Sequence, residues 1–238
     1  EKKFKNVRVI LSKVNLGMTG GVNLAFKNIK TKYSIYLDMD INFSKGTIER
    51  FFNFAEKTKN FAFLVPNLQY SKYPKHFYFE PNNEDKYSIK LKIAHFHFVL
   101  YNMRATKDIG PYDKNIFFYY DETDYCLRAI KKNYNIILLK NVKVKHLENQ
   151  SYKKNIREAI EPLRQWHLMW GKFYFNKKHY GSFNAYKYCL PNLCGSFFKM
   201  IVYSCFDGYK CKLHVNRLSG LLNSMFGKKS WKRFENYS

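Results

Sequence analysis

Acidic residues are scarce in this chain. Its 238 residues include 18 Asp and Glu against 42 Lys and Arg, a net charge of +24 at neutral pH. Such a surface favours anionic partners: nucleic acid, an anionic membrane or phosphorylated small molecules, with a merely solvated basic face as the alternative. The five cysteines are odd in number and form no C-x-x-C pair, which excludes a disulfide framework or zinc ribbon and leads us to expect reduced thiols in a cytosolic setting. Glycine (11) and proline (6) are too few for collagen-like or low-complexity classes. No run of 18 residues is apolar and free of charge. The nearest, Leu190 to Phe206, is interrupted by Lys199 and reads as an interfacial or buried segment rather than a membrane span. The first residue is Glu1 with no apolar leader behind it, so the chain reads as part of a longer protein.

Apolar and aromatic residues, by contrast, are abundant. Hydrophobic residues make up 46% and aromatics 19%, including 20 Tyr and 22 Phe, which is enough to bury a core and excludes intrinsic disorder. The length allows one large domain, or a domain with an extension. Charge is uneven along it: residues 151–238 hold 16 Lys and Arg and 4 Asp and Glu, whereas residues 1–150 hold 26 and 14. The same net +12 is therefore concentrated in the shorter part, where it is interleaved with aromatics, as in Trp166–Tyr180 and Phe226–Phe234.

Periodicity divides the chain at the same place. Val7–Leu11 (VRVIL) predicts a buried strand, and Thr19–Lys30 a helix with Leu24, Ala25 and Ile29 inward. Tyr33–Leu37 predicts a strand that runs straight into Asp38-Met39-Asp40. Gly46–Lys59 follows as an amphipathic helix carrying Ile48, Phe51, Phe52 and Ala55 at helical spacing, and Phe61–Val65 as a strand stopped by Pro66. Residues 67–92 show no clear pattern. Ala94–Tyr101 reads as a strand, Asp121–Lys132 as a helix, and Tyr134–Leu139 and Val142–His146 as two strands about an Asn141 turn. Strand–helix alternation up to residue 150 implies an α/β domain with a largely parallel sheet. Beyond it the strand pattern stops, and Arg157–Asn176 predicts a long helix within a helical extension, 151–238.

The few acids are grouped. Five of the 14 in residues 1–150 fall in two sets, Asp38/Asp40 and Asp121/Glu122/Asp124. Packing carboxylates closely costs electrostatic energy that a cation or a proton-transfer role can offset. Asp38 and Asp40 lie at the carboxyl end of a strand, where open α/β sheets bind ligands, and two carboxylates there can hold Mg²⁺ or Mn²⁺. A capped strand exit would look the same. The second group opens a helix, where an acid facing a cleft could act as a general base, or simply compensate the helix dipole. His146 ends a strand and is either a metal ligand or structural. His95 and His97 alternate on one side of their strand, and a partly exposed sheet face accounts for them. The turn Asn15-x-Gly17-x-x-Gly20-Gly21-x-Asn23 could bring backbone N–H groups to a phosphate or sugar, although it matches neither the dinucleotide nor the Walker fingerprint.

Four motifs now stand in order: Asn15–Ala25, Tyr36–Asp40, Gly110-Pro111-Tyr112-Asp113 running to Phe117–Ala129, and Val142–Ser151 with His146. Over roughly residues 5–180 the chain resembles the family 2 glycosyltransferases of the GT-A fold, especially bacterial rhamnosyltransferase-like and galactofuranosyltransferase-like members. The resemblance implies a GT-A-type α/β catalytic domain over 1–150 with a mixed, mostly parallel sheet. It implies that Asp38 and Asp40 bind the divalent metal (Mg²⁺ or Mn²⁺) and the nucleotide diphosphate, and that His146 completes the metal site. Glu122 or Asp121 would deprotonate the acceptor, because the family's usual Glu-Asp order is reversed here. Asp124 and Arg128 would support the site, and Asn15, Gly21 and Asn23 would line the donor beside Asp38. The family's opening strand and base-binding loop have no counterpart in the sequence, so it reads as incomplete at its N-terminus.

The implied reaction moves a sugar from a nucleotide-diphosphate sugar, with inversion, to a glycan or lipid-linked acceptor, in bacterial cell-surface polysaccharide synthesis. The basic aromatic part, 151–238, would then touch the acceptor or an anionic membrane, peripherally on the cytoplasmic face. Two rivals stand beside this reading. A non-catalytic module of the same fold is one. A nucleic-acid binder is the other, although it lacks any recognisable binding module and leaves the acidic groups unexplained.

Overall fold

The computed structural model describes residues 5–70, 78–147 and 154–233. Its elements are α1 (Gly17–Asn28), β1 (Tyr33–Leu37), β2 (Ile41–Phe43), α2 (Thr47–Lys57), β3 (Phe61–Tyr70), β4 (Tyr78–Glu84), β5 (Ser88–Ile93), β6 (Phe98–Asn102), α3 (Met103–Ile109), α4 (Asp121–Lys131), β7 (Asn135–His146), α5 (Lys154–Phe206) and α6 (Gly208–Met225). The α/β class is as expected, but the strand directions are not. In the order β1-β6-β3-β7-β5-β4, with β2 added to β7, only β3 and β7 run parallel. The reason lies in the stretch that periodicity left blank and the strand after it: β4, β5 and β6 follow one another without a helix between them. They insert antiparallel, β5 beside β7 and β6 between β1 and β3.

Several local expectations shift as well. Val7–Leu11 forms no strand, and Val7, Val9, Ile10 and Leu11 are exposed. Among the described residues no strand pairs with the run, and an apolar run without a ladder partner has nothing to bury against. Helix α1 turns Thr19 and Val22 inward rather than Leu24 and Ala25. Strand β3 continues through Pro66, whose missing N–H is accommodated by a register shift between Pro66 and Asn67. The two strands expected about Asn141 are one, β7. The expected boundary at 150/151 lies outside the described residues.

The aromatic wealth goes largely into the core. Tyr112 and Tyr125 stack at 4.0 Å, and Phe63 stacks on Tyr125 while meeting Phe96 and Tyr101 edge-on. Such pairs add specific geometry to large apolar burial. Buried phenols need partners, and the Tyr101 and Tyr112 hydroxyls pair at 2.7 Å while Tyr125 donates to the Gly110 carbonyl.

The C-terminal part is a three-helix arrangement. Gly181, at φ 86, breaks α5 and lets its second half fold back on the first: Tyr186 meets Phe173, and Ala185 and Cys189 join Met169, Phe173 and Leu221 in a second core. Helix α6 then runs alongside, with Tyr209 donating to the Glu158 carbonyl and Trp166 donating to Ser219. The outer side of the returning half is apolar and open. Phe183, Leu190, Phe197, Phe198, Ile201, Val202 and Phe206 are all exposed, so Leu190–Phe206 is not a buried segment. By length and composition alone, the helix through residues 158–206 contains a window apolar enough to cross a membrane.

Candidate active site

The carboxyl end of β1 places the first acid. The Asp38 N–H donates to the His97 carbonyl at 2.9 Å, which extends the β1–β6 ladder by one step and sets the two side chains together. His97 Nδ1 then lies 2.7 Å from Asp38 Oδ2, while the Tyr36 hydroxyl donates to Asp38 Oδ1 at 2.6 Å. Pairing of β2 with β7 sets Ile41 opposite His146 and so brings Asp40 to the same end, with His146 Nε2 3.1 Å from Asp40 Oδ1. The His97 and His146 rings stack at 4.4 Å.

One donor atom from each of Asp38, His97 and His146 lies within 4.8 Å of the other two, a group able to hold a metal ion. Of the expected set, Asp38 and His146 are in this group. Asp40 lies outside this group, its carboxylate 3.1 Å from His146 Nε2, where a carboxylate can orient an imidazole. His97, read from the sequence as a sheet-face residue, lies within it. Its signal in the sequence was the His95-x-His97 spacing, which repeats that of Asp38-x-Asp40. Burial alone would raise the Asp38 carboxyl, but hydrogen bonds from His97 and Tyr36 and the nearby imidazoles hold it below the usual range. Burial lowers His97 and its bond to Asp38 raises it, with a net upward shift. One carboxylate with two imidazoles suits Mn²⁺ better than Mg²⁺, which demands oxygen ligands.

Helix α4 presents the second group. Tyr119 and Tyr120 both have positive φ (64 and 66), an uncommon conformation for aromatic residues, which aims the first turn of α4. From that turn Glu122 accepts the Phe96 N–H at Oε1 (2.8 Å) and lies 3.1 Å from His95 Nδ1 at Oε2. The His95 ring is 6.1 Å from His97. Glu122, His95, His97 and Asp38 thus form a continuous row. Asp121 sits beneath, 6% exposed, and burial, followed by repulsion from Glu122, pushes its carboxyl up to about 7. That value would suit a base, but a base must first reach the proton it takes, and Glu122 is the more accessible, with 24% of its side chain exposed.

The remaining expected residues are placed as follows. Asn15 accepts the Gly17 N–H at the start of α1. Gly17 itself has φ 68, and a Cβ there would lie 2.4 Å from Phe117, so the approach of α1 to the 116–118 turn requires glycine. Asn23 pins the 110–113 turn by exchanging two hydrogen bonds with the Tyr112 backbone. Gly21 faces open space.

Asp124 and Arg128 join the two parts of the chain. The buried Asp124 carboxylate is 2.9 Å from Arg128 Nε, 2.6 Å from Lys178 Nζ and 2.8 Å from His179 Nε2, the last two on α5. Burial would raise its pKa, but the His179 and Lys178 hydrogen bonds and the adjacent cations bring it down to about 2. A carboxyl depressed from 3.8 stabilises the fold fully above about pH 4 and loses that contribution as pH falls towards 2. Asp124→Asn, which strands buried cations, is expected to cost about 3 kcal/mol in urea unfolding at pH 7, with a smaller difference from wild type near pH 3. Equal midpoints at pH 7 would refute this role. Helix α5 also grips the strained turn itself: Arg164 Nε donates to the Tyr119 hydroxyl at 2.7 Å, and Gly171 packs under Tyr120.

Residues 1–110 match the sequence model of the family described as Glycosyl transferase family 2. No protein of curated function matches the chain in sequence. Among solved structures, it is similar to a mannosyltransferase from Pyrobaculum calidifontis in complex with GDP-Man and Mn²⁺, at TM-score 0.52 and 10% identity over 90% of this chain and 68% of that one. It is also similar to GalNAc-T7 with UDP, GalNAc and Mn²⁺, at TM-score 0.50 and 11% identity over 67% of this chain. It spans 38% of that protein's length. At these identities the likeness is one of fold.

Proposed function

We propose, from the match of residues 1–110 to the glycosyl transferase family 2 model, that this chain moves a sugar from a nucleotide-diphosphate sugar to a glycan or lipid-linked hydroxyl, with inversion, in bacterial cell-surface polysaccharide synthesis. The observation that carries the reading is the row itself: a metal-capable group, Asp38, His97 and His146, leading through His95 to a fixed and accessible Glu122. The similar structures that carry Mn²⁺ with UDP or GDP-Man support the same donor class.

Asp38, His97 and His146 would hold Mn²⁺ or Mg²⁺. A bound cation there offsets the charge that develops on a departing diphosphate. Tyr36 and Asp40 orient its ligands. Glu122, fixed by the Phe96 N–H, takes the acceptor proton at a carboxylate oxygen as the hydroxyl attacks. Asp121 remains largely protonated below about pH 7, which spares Glu122 a second negative charge at close range. Incubation with a panel of UDP-, GDP- and dTDP-sugars and Mn²⁺ tests the reading: release of one nucleoside diphosphate, abolished by chelator, is expected. Release that chelator leaves unchanged would remove the metal from the account.

The returning half of α5 supports a peripheral contact with an anionic membrane on the cytoplasmic face. Apolar residues there share the segment with Lys199, and Lys210 stands over the Tyr203 ring, a pairing that suits the headgroup zone. Contacts such as Lys172 with Asn192 and Arg217 with Ser196 tie this half to its neighbours, which favours lying on the surface over crossing it. Replacing the exposed Phe197 and Phe198 by Glu should abolish pelleting with phosphatidylglycerol vesicles; undiminished pelleting would refute the contact.

A further inference from the structure

A cavity of about 550 Å³ opens between α5, the turn at Asn115 and the end of α6. None of its lining residues belongs to the Asp38–His97–His146 group or to the surroundings of Glu122. Its size is that of a small-ligand site.

The lining is one-sided in charge. Lys177, Lys228 and Lys229 line it, and among the described residues no carboxylate does. A fourth lysine, Lys178, spends its charge on Asp113 and Asp124, at 2.7 and 2.6 Å. The carbonyl end of a helix ordinarily repels anions, but here those carbonyls are occupied. Phe226, Gly227 and Lys228 donate their N–H groups to the carbonyls of Leu222, Ser224 and Asn223, and Trp170 Nε1 donates to the Lys228 carbonyl. The cavity is therefore left with amines rather than bare carbonyls.

Two further features point to a ligand. Ser224 lines the cavity at 5% exposure, and among the described residues its hydroxyl finds no hydrogen-bond partner, a costly state for a buried donor. Tyr174 forms a flat wall, backed by Trp170 at 4.8 Å and 17°, and its hydroxyl is fixed by donation to Asp113. A rigid aromatic face with amines at its rim suits a sugar ring that carries an anion.

We propose that this cavity binds a phosphate-bearing saccharide, with the phosphate among Lys177, Lys228, Lys229 and Ser224 and the sugar ring against Tyr174. The inference does not depend on sugar transfer at the Asp38 site. Calorimetric titration of the whole chain with glucose 6-phosphate, inorganic phosphate and glucose, in EDTA and 150 mM salt, tests it. Glucose 6-phosphate is expected to bind once per chain and more tightly than phosphate, with glucose failing to bind. The Lys228→Ala/Lys229→Ala pair and Ser224→Ala should each weaken it about tenfold or more, in protein whose melting temperature is unchanged. The control pair Lys27→Ala/Lys30→Ala, on exposed lysines of and beside α1, should leave affinity within about twofold. Equal losses in both lysine pairs would reduce the effect to bulk charge and overturn the site. Phosphate binding as tightly as glucose 6-phosphate would overturn the saccharide assignment, and no binding at millimolar concentration would overturn both.

Discussion

Glu122→Gln is expected to lower turnover by ~10²–10⁴-fold while leaving donor binding within a few-fold of wild type. The amide still accepts the Phe96 N–H, which is 2.8 Å from Oε1, so the turn keeps its geometry and only proton uptake is lost. Asp121→Asn makes the necessary comparison. Asp121 is buried and carries a raised pKa, so its amide should fold and retain most activity if Glu122 is the base. The sign of its stability effect is fixed as well. A carboxyl whose pKa climbs from 3.8 to about 7 on folding takes up a proton across that window, so wild-type stability declines as pH rises through it. Asp121→Asn removes the decline and should melt higher than wild type at pH 8. Full activity in Glu122→Gln together with an inactive Asp121→Asn would transfer the role to Asp121.

The second large effect concerns Asp38. Asp38→Asn removes the only carboxylate of the metal-capable group and the acceptor of two short hydrogen bonds, from Tyr36 and His97. Turnover should fall at least ~10²-fold, and Mn²⁺ affinity measured by electron paramagnetic resonance should fall at least ~10-fold. His97→Ala should weaken Mn²⁺ to a comparable degree, whereas Asp40→Asn, at a carboxylate that lies against His146, should do so less. Indifference of Mn²⁺ affinity to His97→Ala would return His97 to the sheet face.

Much of this arrangement was legible because it is local. Tyr33–Leu37 is a short β-branched and aromatic run that could hardly be other than a strand, and its exit fixes where Asp38 stands. The first turn of α4 announces itself by three acids. What escaped was set by pairing across distance. His97 becomes a candidate ligand because β6 lies antiparallel to β1, and nothing in the residues 94–101 says which strand they will neighbour. The position of Asp40 was hidden for the same reason: β2 joins β7, and the register of Ile41 against His146 sets Asp40 beside the imidazole. Val7–Leu11 carries the composition of a strand, yet composition supplies no partner.

A change in charge density and periodicity near residue 150 was visible, but what the later residues do was not. The helical part is more than an appendage to the α/β part. Lys178 and His179 neutralise Asp124, Arg164 holds the Tyr119 hydroxyl, and Gly171 leaves room for Tyr120. Two consecutive aromatic residues at positive φ cost roughly 1–3 kcal/mol each, and α5 supplies the contacts that hold them there. The acidic turn that presents Glu122 is thus maintained by residues 45 to 55 positions later than their partners. Charge and aromatic counts register such residues only as a basic, aromatic tail.

Asp38, His97 and His146 are tested most directly by anomalous diffraction from crystals grown with Mn²⁺ and a nucleoside diphosphate. A single manganese peak bonded by Asp38, His97 and His146, with the diphosphate on its open side, is the expected result. A manganese bound elsewhere, with His97 still hydrogen-bonded to Asp38, would contradict it.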